Sequence, residues 1–265
     1  MGNFLTVCSK FKKGPLGILN RISEIMQDRF NGIPECRRLI LLFNNLLWKI
    51  HNYLDSSFDK KYGTSTTGVI WFDNLKSENE NISFATRYEP TSVKVFKQIM
   101  KDLNISFGQF EFVDFGSGKG RTLILASECG FKKIKGVEFL PELHRIATKN
   151  IAIYEHCIGR ESGIETICMD ATKFPIPEAP LFIYFFSPFK GKVLEKVLSN
   201  IAASLANKPR EFVLLFYGNN PESIELFKAV KFQPKIQSRE LHLRADWSHF
   251  MEYRCLFFLN VKGVI

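Results

Sequence analysis

The chain has 265 residues, 45% hydrophobic and 24% charged, with a formal net charge of +9 at pH 7. This is ordinary globular material, long enough for one large α/β domain and a modest extension. Six cysteines (Cys8, Cys36, Cys129, Cys157, Cys168, Cys255) form no CxxC pair and no regular spacing. Reduced thiols are therefore expected, with no disulfide framework and no metal site. The positive excess sits at the two ends: residues 1–60 hold nine Lys/Arg against five Asp/Glu, and residues 191–265 eleven against seven, whereas residues 111–190 hold ten of each. A basic surface attracts nucleic acid, anionic lipid or an acidic protein, and it also arises as a plain solvated face, so nucleic acid stays open as a partner. No apolar run is long enough for a bilayer, and no signal-peptide core opens the chain. Met1-Gly2-Asn3-Phe4-Leu5-Thr6 fits the loose N-myristoylation pattern, but such short matches are common by chance. A cytoplasmic protein without membrane association is expected.

In chain order, Ile18, Ile22, Ile25, Met26 and Phe30 recur at helical spacing, and Asn31-Gly32-Ile33-Pro34 reads as a stop. A second helix carries Leu39, Leu42, Phe43, Leu46, Leu47, Ile50, Tyr53 and Leu54 on one face, expected to pack on the neighbouring domain. Residues 55–90 are polar and punctuated, a connection of the length that is usually functional or mobile. The spacing thus divides the chain into a helical extension over 1–60, a linker or lid over 61–90 and a main domain over 91–265.

From Thr91 onward helices and strands alternate. Helices are predicted over Thr91–Leu103, Thr122–Cys129, Pro141–Cys157, Gly191–Leu205 and Pro221–Val230. Strands are predicted over Phe110–Phe115, Ile134–Phe139, Glu165–Met169, Leu181–Phe186 and Phe212–Tyr217, with a closing hairpin from Ile236–Leu243 and Tyr253–Val261. This alternation predicts a Rossmann-like, doubly wound, mostly parallel sheet ending in an antiparallel hairpin.

The decisive segment is Phe112-Val113-Asp114-Phe115-Gly116-Ser117-Gly118-Lys119-Gly120-Arg121. A buried strand runs into three alternate glycines and then a helix, so a ligand can lie against backbone at a helix N-terminus. Dinucleotide sites need G-x-G-x-x-G, and a P-loop needs G-K-[ST] after a four-residue gap; neither spacing occurs. An acidic residue before the first glycine repels pyrophosphate and suits an ammonium group. S-adenosylmethionine has a cationic amino-acid end and no phosphate. Two more acids close the next strands: Glu138, placed to accept from ribose hydroxyls, and Asp170, placed to meet the adenine amino group.

From about Tyr88 to Phe258 the chain resembles the class I, seven-stranded S-adenosylmethionine-dependent methyltransferases. Arg87-Tyr88-Glu89-Pro90-Thr91-Ser92 ahead of the leading helix, Asp-Phe-Gly-Ser-Gly and Gly-Val-Glu are similar to the seven-stranded protein-lysine enzymes, including histone-lysine enzymes without a SET domain. The resemblance implies that Asp114, Gly116, Ser117, Gly118 and Gly120 form the cofactor loop with Glu138, Asp170 and Thr91, and that Tyr88 folds over the cofactor. It also implies an acceptor site at Ser187-Pro188-Phe189, where amino-group enzymes carry Asn or Asp, then Pro and an aromatic. Ser187 departs from that pattern, because a hydroxyl accepts less than an amide or carboxylate. Tyr88, Tyr184, Phe189 and Tyr217 are candidates for a channel that desolvates an incoming amine. The expected acceptor is an amino group, protein lysine first, with a small molecule or nucleic acid as the alternative. A further alternative is a non-catalytic module that binds the cofactor and docks a partner through its basic N-terminal helices. No histidine is placed as a dedicated base.

Overall fold

The computed structural model describes residues 56–72, 80–103, 105–230, 232, 237–244 and 252–261, together with ten isolated positions between Ile22 and Leu46. Residues 56–62 are helical (α1), followed by α2 (Val93–Leu103), β1 (Glu111–Phe115), α3 (Arg121–Glu128), β2 (Lys133–Glu138) and α4 (Pro141–Ile158). Then come β3 (Ile164–Cys168), β4 (Leu181–Phe186), α5 (Gly191–Asn207), β5 (Phe212–Gly218), α6 (Pro221–Ala229), β6 (Gln237–Arg244) and β7 (Glu252–Asn260). The strands form one sheet in the order β3-β2-β1-β4-β5-β7-β6. The first five pair in parallel, while β7 runs antiparallel to both β5 and β6. This is the expected Rossmann-like, doubly wound arrangement with its terminal antiparallel pair.

β4 (Leu181–Phe186) and β5 (Phe212–Gly218) carry no charged residue because both sheet faces are covered. In β4, Phe182 and Tyr184 join Phe96, Leu123 and Phe112 on the face under α2 and α3. Leu181, Ile183 and Phe185 point the other way, to Leu194, Val197 and Ile201 of α5 and Phe227 of α6. Strand order reverses between β1 and β4, whose chains leave toward opposite faces. The crevice at the carboxyl ends of these two strands is where such sheets hold ligands.

Two expectations for the N-terminal part change. Leu39, Leu42 and Leu46 are helical as predicted, but they are 61%, 58% and 53% exposed, and it is Ile40 that is buried. The register of burial is therefore offset from the predicted stripe; Leu47, Ile50, Tyr53 and Leu54 lie outside the described residues. The 56–62 helix, in contrast, belongs to the main core: Phe58 and Tyr62 pack in the same cluster as Phe96 and Leu123, and the Tyr62 and Tyr154 rings meet edge to face at 5.0 Å. No helix among the described residues is long and apolar enough to cross a membrane.

Candidate cofactor and acceptor cleft

At the end of β1 the chain turns through Gly116, Gly118 and Gly120, with φ of 76°, 53° and 84°. A side chain is excluded there by conformation and by space. A Cβ on Gly116 would stand 2.2 Å from Pro188, and one on Gly118 2.3 Å from the Tyr88 ring. The loop thereby brings the acceptor-side proline and the proposed lid tyrosine against the same turn.

Asp114 and Glu138 lie beneath that loop, 3% and 5% exposed. Burial, then the nearby Glu138, pushes the Asp114 carboxyl well above the usual range, against a hydrogen bond with Thr122. Burial also raises Glu138, to about 7, although its Oε2 accepts from the Gly118 N–H and its Oε1 from the Leu140 N–H, each at 2.9 Å. Two carboxyls buried side by side are costly unless a cation or hydroxyl donors join them. Thr122 donates to Thr91 at 3.3 Å, and Thr91 lies 3.1 Å from the Tyr184 hydroxyl, so Thr91 orders the Asp114 surroundings. Ser117 is buried, its N–H donating to the Val137 carbonyl at 3.2 Å. Asp170, at the end of β3, accepts from the Thr172 N–H and hydroxyl at 2.9 and 2.8 Å, capping a short 3-10 helix.

Asp114, Ser117, Glu138 and Asp170, with Thr91 and Thr122, line one cleft. Asp114, Ser117, Glu138 and Asp170 supply its polar lining; Phe186, Pro188, Phe189 and Val193 supply an apolar wall, and Phe72 lines it where it packs with Tyr88 and Leu143. Ser187, expected at the acceptor site, is not itself among the residues that line the cleft; its φ of 43° is a strained value for a residue with a side chain. Its Cβ stands 3.0 Å from where a Gly218 Cβ would lie, and its carbonyl accepts from the Thr86 hydroxyl at 2.5 Å. Ser187 therefore turns the chain so that Pro188 and Phe189 face the cleft. Tyr184 and Tyr217, expected in the acceptor channel, are instead 1% exposed in the core under α2 and α3. The alternation of their strands sends them to that face.

Sequence reasoning missed a clamp formed by the segment before Tyr88. The Asp59 carboxylate accepts from the Thr64 hydroxyl, from both the N–H and the hydroxyl of Thr66, and from the Thr67 N–H, at 2.6–3.0 Å. Burial pushes Asp59 up, but these hydrogen bonds and the Arg121 charge outweigh it and hold the carboxyl below its usual range. Arg121, 2% exposed at the start of α3, donates to the Thr66 hydroxyl at 2.8 Å and lies 3.8 Å from Asp59. Lys119 donates to the Thr67 carbonyl at 2.7 Å, and Asn150 bridges the Lys119 carbonyl and Ser65. Tyr88 completes the clamp, its hydroxyl donating to the Thr66 carbonyl at 2.6 Å while its ring covers Gly118. The one sequence signal was an arginine opening the otherwise apolar turn Arg121-Thr122-Leu123-Ile124-Leu125.

No protein-family model matches the chain, and no curated protein matches it. Among solved structures, it is similar to a tRNA (uracil-54, C5)-methyltransferase of Pyrococcus abyssi in complex with S-adenosyl-L-homocysteine (14% identity, TM-score 0.44). That match covers 63% of this chain and 37% of the other, so the chain spans little more than a third of that enzyme's length. It is also similar to magnesium protoporphyrin IX methyltransferase of Synechocystis PCC 6803 (10% identity, 81% and 97% covered, TM-score 0.47). A third is a SAM-dependent O-methyltransferase of Thermotoga maritima (13% identity, 66% and 68% covered, TM-score 0.48).

Proposed function

We propose that the chain is a methyltransferase that uses S-adenosylmethionine and delivers the methyl group to an amino nitrogen. The observation that carries this reading is the buried pair Asp114 and Glu138 at a glycine loop too close-packed for side chains. Asp114 holds the ammonium of the amino-acid end, since an apposed cation offsets the burial of its charge. Glu138, already fixed by two backbone N–H groups, keeps acceptor capacity for ribose hydroxyls. Asp170 and Met169 border the adenine end. When bound, S-adenosylmethionine supplies an electrophilic methyl on a sulfonium sulfur that leaves as a neutral thioether.

The chain's own residues then have little acid–base work to do. Phe186, Pro188 and Phe189 exclude water and orient the acceptor, which is where most of the acceleration for such a transfer arises. The same apolar wall lowers the pKa of an entering amine, so that it arrives with a free lone pair; after transfer the nitrogen sheds its proton to water. The resemblance to protein-lysine enzymes makes a lysine side chain one carrier of that nitrogen. A nucleic-acid base is the second, favoured by Arg87 in the cleft lining and by the exposed Lys190 and Lys192, which flank Phe189 and Val193 in the chain. Incubation with methyl-tritiated S-adenosylmethionine and separate protein, RNA and metabolite fractions tests the reading. Label is expected in one fraction and absent with Asp114→Ala; no label in any fraction would contradict it.

A further inference from the structure

The mouth of the cleft carries aromatic rings paired with cations, and this pattern rests on no residue assigned to the methyl donor. Ile70 and Tyr88 form an isolated antiparallel bridge, with N–H to carbonyl distances of 3.0 and 2.9 Å. Ile70 and Phe72 are part-buried and pack with Tyr88 and Leu143. Val69 and Trp71 face out, and Trp71 is 62% exposed. The Arg87 guanidinium, held by Glu89 at 2.6 Å, sits 5.0 Å from the Trp71 ring centroid. Across the acceptor end, Lys192 stands 4.9 Å from the Phe84 ring centroid, and Lys190 is exposed beside it. Trp71, Phe84 and Lys192 are each the chain neighbour of a cleft-lining residue: Phe72, Ala85 and Val193.

We infer that this rim binds single-stranded nucleic acid, a base stacking on Trp71 while Arg87, Lys190 and Lys192 meet the phosphates. This inference rests on the methyltransferase reading and names the acceptor's carrier. Stacking on an exposed aromatic and neutralisation by neighbouring cations is the physical basis of binding to single strands, whose bases are free to splay into a pocket. Glu89 is engaged with Arg87, and the nearby Glu222 faces the start of α5 opposite Lys192. A lysine-rich peptide would bring like charge to the three cations, whereas a polyanion is attracted to them. Burial of a base edge against Phe72, Pro188 and Phe189 leaves an exocyclic amino group to be aimed at the methyl.

Fluorescence anisotropy with labelled mixed-sequence oligonucleotides of roughly 12 nucleotides, a length one binding module spans, tests this on the full chain with S-adenosylhomocysteine present. RNA and DNA single strands form separate arms, and a duplex is the control. Single strands of at least one arm are expected to bind, more weakly as salt rises from about 50 to 200 mM. Trp71→Ala is expected to weaken binding about tenfold, and Lys192→Glu to weaken it and flatten the salt slope by about one. Both positions are exposed, so neither change disturbs the core. Binding of S-adenosylhomocysteine without binding of any single strand would overturn the inference and leave the methyl-donor reading standing. Oligonucleotide binding unaltered by both variants would overturn it as well. Failure to bind S-adenosylhomocysteine would remove the reading on which it rests.

Discussion

At the residue scale, the two buried carboxyls set measurable pH behaviour. Glu138 titrates at about 7 in the folded protein against 4.5 in an exposed carboxyl. As pH rises through this window the unfolded chain ionises first and binds fewer protons, so the Glu138 contribution to stability without cofactor falls from pH 4.5 to 7 and levels off above it, while Asp114, also held well above its usual range, adds a loss of the same sign. The full loss from Glu138 is about 3 kcal/mol, at 1.36 kcal/mol per pK unit. Glu138→Gln should remove that share, read as a flatter dependence of melting temperature on pH between 5 and 8; an unaltered slope would mean that Glu138 is not the titrating group. Asp114→Asn, which cannot balance an ammonium, is expected to weaken S-adenosylhomocysteine binding at least tenfold by calorimetry. The positions of Asp114, Glu138 and Asp170 were legible in the sequence because each stands within two residues of a strand's carboxyl end, and parallel strands in one sheet bring those ends to one edge. The corner at Ser187 was not legible, since its orientation is set by a left-handed backbone that sequence pattern leaves open.

At the scale of elements, the 56–68 segment is part of the glycine loop's support. Asp59→Ala would leave Arg121 buried without its carboxylate and is expected to cost about 3–5 kcal/mol in urea unfolding. Adding Arg121→Met should recover much of that loss while S-adenosylhomocysteine binding stays weak, because Thr66 no longer fixes Tyr88. Full recovery of binding in the double variant would show that the clamp has no bearing on the site. The strands and the helices from α2 to α6 were legible within a residue or two, as apolar runs and helical periodicity report local burial. The clamp left only Arg121 as a local mark, for the opposite reason. Asp59, Thr66, Arg121 and Asn150 come from three places in the chain, and nothing in their local patterns announces that they meet.

At the scale of the molecule, the sheet is held by two aromatic-rich faces, and the cleft depends on both. Phe227 of α6 is fully buried among Phe185, Phe216 and Phe258, with the Phe216 ring centroid 4.3 Å away. Phe227→Ala should cost about 3–5 kcal/mol by denaturant unfolding, with the affinity of the surviving folded protein for S-adenosylhomocysteine nearly unchanged. An effect on affinity larger than on stability would place α6 in the site. The central claim is that the acidic glycine-loop cleft holds S-adenosylmethionine, and isothermal titration of the purified chain tests it most directly. S-adenosylmethionine and S-adenosylhomocysteine are both expected to bind at one site per chain, and Asp114→Ala to abolish both signals. Absence of binding by either compound at millimolar concentration would contradict the account.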